Sequence, residues 1–392
     1  MSLPVFAALL AAVPCSFAIA AEPVFKKLAV DSFFYAEGAA IADFNADGHP
    51  DLVAGGKIFR GPDFTASSSF RPPHAFDRLS YSNNFLTFTD DFNADGRPDI
   101  LVIGWPGKEA YWFENPGSVT SGDWLQHLAF FNVDSESPGL IDVDGDGRRE
   151  IIGASGGRLG YMQQNPQQLT APWTFHPISP PGKWQRYTHG IGLDDVNGDG
   201  RPDFLEVNGW WEQPATLKDD PVWKFHAQSF GTGGAQMYAY DVNGDKLADV
   251  ITSIAAHGYG ISWFEQRRSG NGESSWVEHA ITSRNASEKI SGVQFSQPHA
   301  LMLVDIDGDG LKDLITGKRH WAHGDKGDPE PNAPAVLYWF KLARTGDAVS
   351  FVPHLIDDDS GVGCQFPVHD LDGNGRPDIA ITNKRGVFVF RQ

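Results

Sequence analysis

Residues 195–203 read Asp195-Val196-Asn197-Gly198-Asp199-Gly200-Arg201-Pro202-Asp203. The same nine-residue pattern, Asp-x-Asn/Asp-x-Asp-Gly-x-x-Asp, also starts at Asp43, Asp91, Asp142, Asp241, Asp305 and Asp370. Oxygen donors at alternate positions around a glycine turn suit a hard cation such as Ca2+ or Mg2+. The candidate ligands are Asp43, Asn45, Asp47 and Asp51 in the first copy, Asp91, Asn93, Asp95 and Asp99 in the second, and Asp142, Asp144, Asp146 and Glu150 in the third. Asp195, Asn197, Asp199 and Asp203 follow in the fourth, with Asp241, Asn243, Asp245 and Asp249 in the fifth. The sixth supplies Asp305, Asp307, Asp309 and Asp313, and the seventh Asp370, Asp372, Asn374 and Asp378. Such residues also form turns without metal. The seven copies, however, gather 23 of the 50 acidic side chains, a crowding of like charge that bound cations would offset. Lys246 replaces the glycine of the fifth loop and Asn374 an aspartate of the seventh, so these two are expected to bind weakly or not at all.

An apolar stretch leads into each loop and a β-branched stretch leads out, so each loop joins two strands. An aromatic third strand follows, as in Tyr111-Trp112-Phe113 and Trp210-Trp211, and then a fourth carrying Trp-x-x-His, as in Trp124 with His127 and Trp223 with His226. Spacings of 48, 51, 53, 46, 64 and 65 residues between copies suit four strands per repeat. Only 14 residues follow Asp378, so the last repeat needs its fourth strand from the N-terminus, near Phe25-Lys26-Lys27-Leu28. The expected fold is all-β: one seven-bladed β-propeller over residues 21–392, with Asp-rich metal loops between the first and second strands of the blades.

The balance of 31 Lys+Arg against 50 Asp+Glu, a net charge of −19, excludes nucleic acid as a natural partner. Residues 1–20 form an apolar run ending in Ala18-Ile19-Ala20, read as a secretory signal and too short for an anchored span, which implies a secreted or periplasmic protein without membrane insertion. Past that segment Cys364 is the only cysteine, so no internal disulfide is expected.

Chemistry is expected at the channel mouth opposite the metal loops. Six positions before the seven loops stand Glu37, Phe85, Glu136, His189, Ala235, His299 and Cys364, with Gln365 beside the last. Loops after the second strands add Trp105, Asn208, His257, Tyr259, Lys318, Arg319, His320 and His323 on the same face. His189 and His299 with Glu136 have the ligand types of a Zn2+ or similar divalent site with open positions. Glu136, Asn208, Trp105, Tyr259 and Gln365 are the candidates for holding a substrate, with Trp105 and Tyr259 placed to stack on a sugar ring.

The repeated loop resembles the FG-GAP or VCBS-type propellers. His189-Gly190-Ile191-Gly192, Asn208-Gly209-Trp210-Trp211-Glu212, Gln297-Pro298-His299, Lys318-Arg319-His320-Trp321-Ala322-His323 and Asp358-Asp359-Ser360-Gly361 further resemble the propeller domain of the aldos-2-ulose dehydratase family. That resemblance implies a metal-dependent lyase that eliminates water from keto-sugars. The fungal members carry cupin domains after the propeller, so only the elimination is implied here. In the implied mechanism His189 and His299 hold a divalent ion, His257 or His320 takes the proton, and Lys318 or Arg319 stabilises the enolate. The substrate is then a small sugar or oligosaccharide. The alternative is a non-catalytic propeller that binds carbohydrate or protein through the same mouth.

Overall fold

The computed structural model describes residues 22–117, 122–270, 273–346 and 348–392. The expected signal segment lies outside them. Antiparallel strands dominate, and among the described residues no helix is long and apolar enough to cross a membrane.

The strands group around the nine-residue loops as the sequence pattern requires. The first sheet runs Ala39–Ala42, Asp51–Ala54, Lys57–Phe59 and Ser67–Ser69, with the Asp43 loop between its first two strands. Ile191–Asp194, Asp203–Glu206, Gly209–Glu212 and Lys224–Ala227 form another, and Met237–Tyr240, Asp249–Ser253, Ile261–Arg268 and Ser274–Thr282 the next. Pro298–Val304, Asp313–Lys318, Leu337–Thr345 and Ala348–Asp357 repeat the order. The architecture is an all-β propeller.

Two repeats are fused into one seven-stranded sheet. The long strand Leu125–Ile141 pairs Lys108–Glu114 through its first half (Glu114 with Leu125) and Glu150–Ser155 through its second (Ile141 with Glu150). It is thus the outer strand of one four-stranded unit and the inner strand of the next. The last sheet holds Val368–His369, Asp378–Asn383 and Gly386–Arg391, and it is completed by Lys26–Asp31, with Leu28 opposite Val389. That pairing joins the first described strand to the last.

The ninth loop residue has a structural role that does not depend on metal. Asp99 is fully buried, and its two carboxylate oxygens accept the backbone N–H groups of Phe92 and Asn115 at 3.0 and 2.8 Å. Asp203 does the same for Val196 and Gln213, and Asp249 for Val242 and Gln266. These carboxylates brace the loop against the third strand. The Trp-x-x-His repeat is structural as well: His127, His226, His279 and His354 stack on Trp112, Trp210, Trp263 and Trp339 with ring centroids 4.0–4.3 Å apart.

Candidate functional site

The starts of the inner strands converge. Cross-links between neighbouring units fix them: the Glu37 N–H donates to the Asn84 carbonyl at 2.9 Å, the Cys364 N–H to the Glu37 carbonyl at 2.6 Å, and the Glu136 N–H to the Thr188 carbonyl at 2.8 Å. Ser135 and Gln297, which precede Glu136 and the Pro298-His299 pair, hold left-handed backbone with φ 86° and 61°. Non-glycine residues are found there at functional sites more than elsewhere, because the surrounding structure must hold them against strain.

His189 Nε2 lies 3.3 Å from His299 Nε2, 3.1 Å from His257 Nε2 and 3.3 Å from Glu136 Oε2, and His299 Nε2 lies 3.5 Å from the same carboxylate oxygen. Ligands about 2.1 Å from a shared ion are about 3.0 Å apart at right angles and about 3.4 Å apart at the tetrahedral angle. Three of the four separations fall in that range, and the 3.5 Å between His299 and Glu136 lies just above it. His189 Nδ1 faces the Tyr187 carbonyl at 2.9 Å, which requires the proton on that nitrogen and leaves Nε2 with a lone pair aimed into the cluster.

Burial, then the nearby Arg319 charge, brings His299 down to about 3, so its ring is neutral. Burial lowers His257 too, reinforced by His299 and His189. Burial on its own would raise the Glu136 carboxyl; positive charge on the adjoining His189 and His299 positions, as protons on the rings, would hold it well below the usual range. Three imidazoles and one carboxylate meeting at one point offer the donor chemistry of a divalent cation. Arg319 stands behind the cluster, 3% exposed, donating to His299 Nε2 at 2.8 Å and to Glu37 Oε1 at 2.9 Å. His299 Nε2 has one lone pair, already taken by Arg319, so an ion there would have to displace the guanidinium toward Glu37 and Glu136, the latter 3.8 Å away.

A cavity of about 560 Å³ opens over the cluster. Tyr81, Phe85, Trp105 and Tyr187 form an aromatic part of its lining, and His257 and His323 also line it. His323 Nδ1 is hydrogen-bonded to Asp328 Oδ1 at 2.9 Å, and Asp328 is also 3.6 Å from His257 Nδ1. Both come from the long loop between Asp313–Lys318 and Leu337–Thr345.

The structure therefore sorts the sequence candidates. His189, His299, His257, Glu136, Arg319 and Trp105 come together. His257 does so as a fourth member of the donor set, not as a free base, because its Nε2 points at His189. His320 stacks on Trp321 and does not line the cavity, and burial followed by the charge of Arg385 brings it down to about 4. Lys318 is buried beside the Ser296 hydroxyl. Asn208 is bound by Glu206 at 2.9 Å, Tyr259 does not line the cavity, and Gln365 lies in the channel below, accepting the Thr87 N–H. Asp328, Tyr81 and Tyr187 were not singled out from sequence. They sit on loops outside the repeat register, and the only signal was their place beside residues that were.

The nine-residue loops differ from one another. Asp142, Asp144 and Asp146 cluster as a metal site would require, as do Asp305, Asp307 and Asp313, and also Asp370, Asp372 and Asp378. The last group forms despite Asn374. In the sixth loop the Lys341 ammonium lies on Asp307 and Asp309, and Arg97 and Arg201 lie on Asp95 and Asp199 in the second and fourth. Part of the crowded negative charge is thus offset by the chain itself, which weakens the charge argument for metal in most loops. Lys246 adopts φ 71°, the conformation of the glycine it replaces.

Residues 91–152 and 142–206 match the FG-GAP-like repeat. No curated protein matches the chain. Among solved structures, a lectin from Agrocybe aegerita that recognises non-reducing terminal N-acetylglucosamine is 18% identical, with 81% of this chain and 79% of the lectin covered and a TM-score of 0.47. Rhamnogalacturonan lyase YesW is 12% identical, covering 94% and 74% with a TM-score of 0.45. Virginiamycin B lyase from Staphylococcus aureus is 11% identical, covering 94% and 99% with a TM-score of 0.46. Likeness of this degree carries no argument about activity.

Proposed function

We propose that the mouth cavity is the active site of a divalent-metal-dependent carbon–oxygen lyase that acts on keto-sugars. The observation that carries this reading is the meeting of His189, His257, His299 and Glu136 at one point beneath a cavity with an aromatic wall and a His–Asp pair. His189, His257, His299 and Glu136 would hold the ion. A divalent ion there supplies Lewis acidity to a ketone oxygen and so acidifies the neighbouring C–H.

Tyr81 and Trp105 offer flat apolar faces to a sugar ring, the geometry aromatic walls provide for the C–H face of pyranoses. For a 2-keto sugar, His323 takes the C3 proton through Nε2, while Asp328 holds Nδ1 and stabilises the imidazolium that forms. Arg319 lines the cavity and places a fixed positive charge beside the developing enolate, in a buried setting where such a charge is most effective. The oxygen at C4 then leaves. This assignment moves the base from His257 and His320 to His323, and the enolate contact to Arg319 alone.

The same loops on the opposite face are proposed to take Ca2+ or Mg2+ as structural ions. Turnover of a 2-keto hexose, followed by the ultraviolet absorbance of the conjugated product, tests the reading. Wild type should form the product and His189→Ala should not. Absence of turnover by metal-loaded wild type on any keto-sugar leaves a carbohydrate-binding propeller.

A further inference from the structure

The aromatic residues of the cavity pass from ring to ring, from a buried member to an exposed one. Phe85, 1% exposed, is the buried end, with the Arg319 guanidinium 5.6 Å from the ring centroid. Trp105 comes next at 5.1 Å, flanked by Tyr81 at 4.5 Å, and Tyr187 follows 6.1 Å beyond Trp105. Tyr187 is 53% exposed. A six-membered ring built of bonds of about 1.5 Å is about 3 Å across, so Tyr187, 6.1 Å from Trp105, offers a further ring surface beyond it.

The outer end is built to the same register as the donor cluster. The His189 ring holds the Tyr187 carbonyl through Nδ1, the Ser135 N–H donates to the Arg186 carbonyl at 3.1 Å, and the Glu136 N–H to the Thr188 carbonyl. The segment bearing Arg186 and Tyr187 is therefore fixed to the backbone that carries Glu136 and His189. Gly107, with φ 77°, leaves the space in which Arg186 lies across the Trp105 loop, since a Cβ there would stand 2.2 Å from Arg186 Nε. Arg186 is exposed and forms no ion pair among the described residues. An exposed tyrosine next to an exposed guanidinium is a surface for a polar ring with hydroxyl groups.

We infer that the cavity takes two linked sugar rings, so that the substrate is a glycoside of a keto-sugar and the group expelled is the glycosidic oxygen. This rests on the lyase reading above. The keto ring lies between Trp105 and His323, and the leaving ring lies on Tyr187 with Arg186 at its edge. His323 removes the C3 proton, the C–H pair becomes the C3–C4 double bond, and the C4–O bond breaks with its pair on oxygen. That oxygen gains a proton, giving a free hydroxyl on the leaving sugar and a conjugated enone. Nothing is oxidised or reduced, and no co-reactant is consumed.

The test compares a 2-keto hexose with its 4-O-glucosyl derivatives, in α and β linkage, on wild type and Tyr187→Ala. Wild type should favour one disaccharide by about tenfold in kcat/KM, and Tyr187→Ala should bring that ratio toward one. Calorimetric binding of glucose, maltose and cellobiose to the same proteins reads the cleft without chemistry. A Tyr187-dependent preference for a disaccharide in binding, with no turnover of any keto-sugar, supports the two-ring cleft and removes the lyase. Equal handling of one and two rings in both measurements, unmoved by Tyr187→Ala, overturns the inference.

Discussion

His189 and His299, 110 residues apart in the chain, stand with their Nε2 atoms 3.3 Å apart. Each stands at the entry of the inner strand of its own repeat, six residues before a nine-residue loop, and the propeller's circular arrangement turns that shared register into proximity. Two imidazoles at that distance, both near the Glu136 carboxylate, give the spacing on which the proposed ion site rests.

His323 and Asp328 should affect chemistry and leave the donor cluster intact. His323→Ala is expected to lower kcat by about 10²–10⁴-fold, the usual contribution of a positioned base. Asp328→Asn should give a smaller loss with a changed pH profile. Metal content by mass spectrometry should match wild type in both variants. Loss of metal in His323→Ala would place that residue among the ligands.

The bracing carboxylates should matter whatever the loops bind. Asp203→Asn keeps one acceptor and turns an amide N–H₂ toward a backbone N–H, leaving a buried donor unpaired. A loss of about 2 kcal/mol in denaturant unfolding is expected, and excess chelator should not alter it. An unchanged midpoint would show that the brace is dispensable.

Much of this was legible before the fold. The Asp-rich repeat marked the strand boundaries, because a turn bounded by apolar and β-branched runs has few alternatives. Its period put Glu37, Glu136, His189 and His299 at one end of the channel. The fused strand Leu125–Ile141 was less visible. Its only cue is the lack of glycine or proline before Pro138. Which ring nitrogen of His257 faces the cluster, and that His323 finds Asp328, depend on side-chain directions and on a long loop outside the repeat, which no periodicity encodes. His299, although at a strand end, is 1% exposed, so its truncation also costs stability.

Lys246→Gly should stabilise the protein. Gly48, Gly96, Gly147, Gly200, Gly310 and Gly375 hold left-handed backbone at the equivalent position, and Lys246 does so against the clash of its Cβ. The expected gain is about 1 kcal/mol, read as a higher melting temperature. A lower one would mean that the lysine side chain contributes an interaction worth more than the strain.

Burial brings Lys318 down to about 8, partly opposed by the charges of Glu330 and Asp328. Its folded state disfavours the ammonium, so the cost is present below about pH 8. Between there and the unfolded value near 10.5 the unfolded chain binds the extra proton, and stability from this group rises with pH. Lys318→Met should therefore be more stable than wild type at pH 7, by about 1–3 kcal/mol, with the difference shrinking toward pH 10. A difference that is constant with pH would refute the shift.

Metal content measured together with X-ray absorption at the metal edge tests the central claim most directly. Wild-type protein dialysed against weak chelator should retain about one transition-metal ion per chain, with about three nitrogen ligands near 2.1 Å. The His189→Ala/His257→Ala variant should hold none while its circular dichroism stays that of the wild type. Wild-type protein that carries only oxygen-ligated Ca2+ or Mg2+, or a double variant that keeps the nitrogen-ligated ion, would contradict the account.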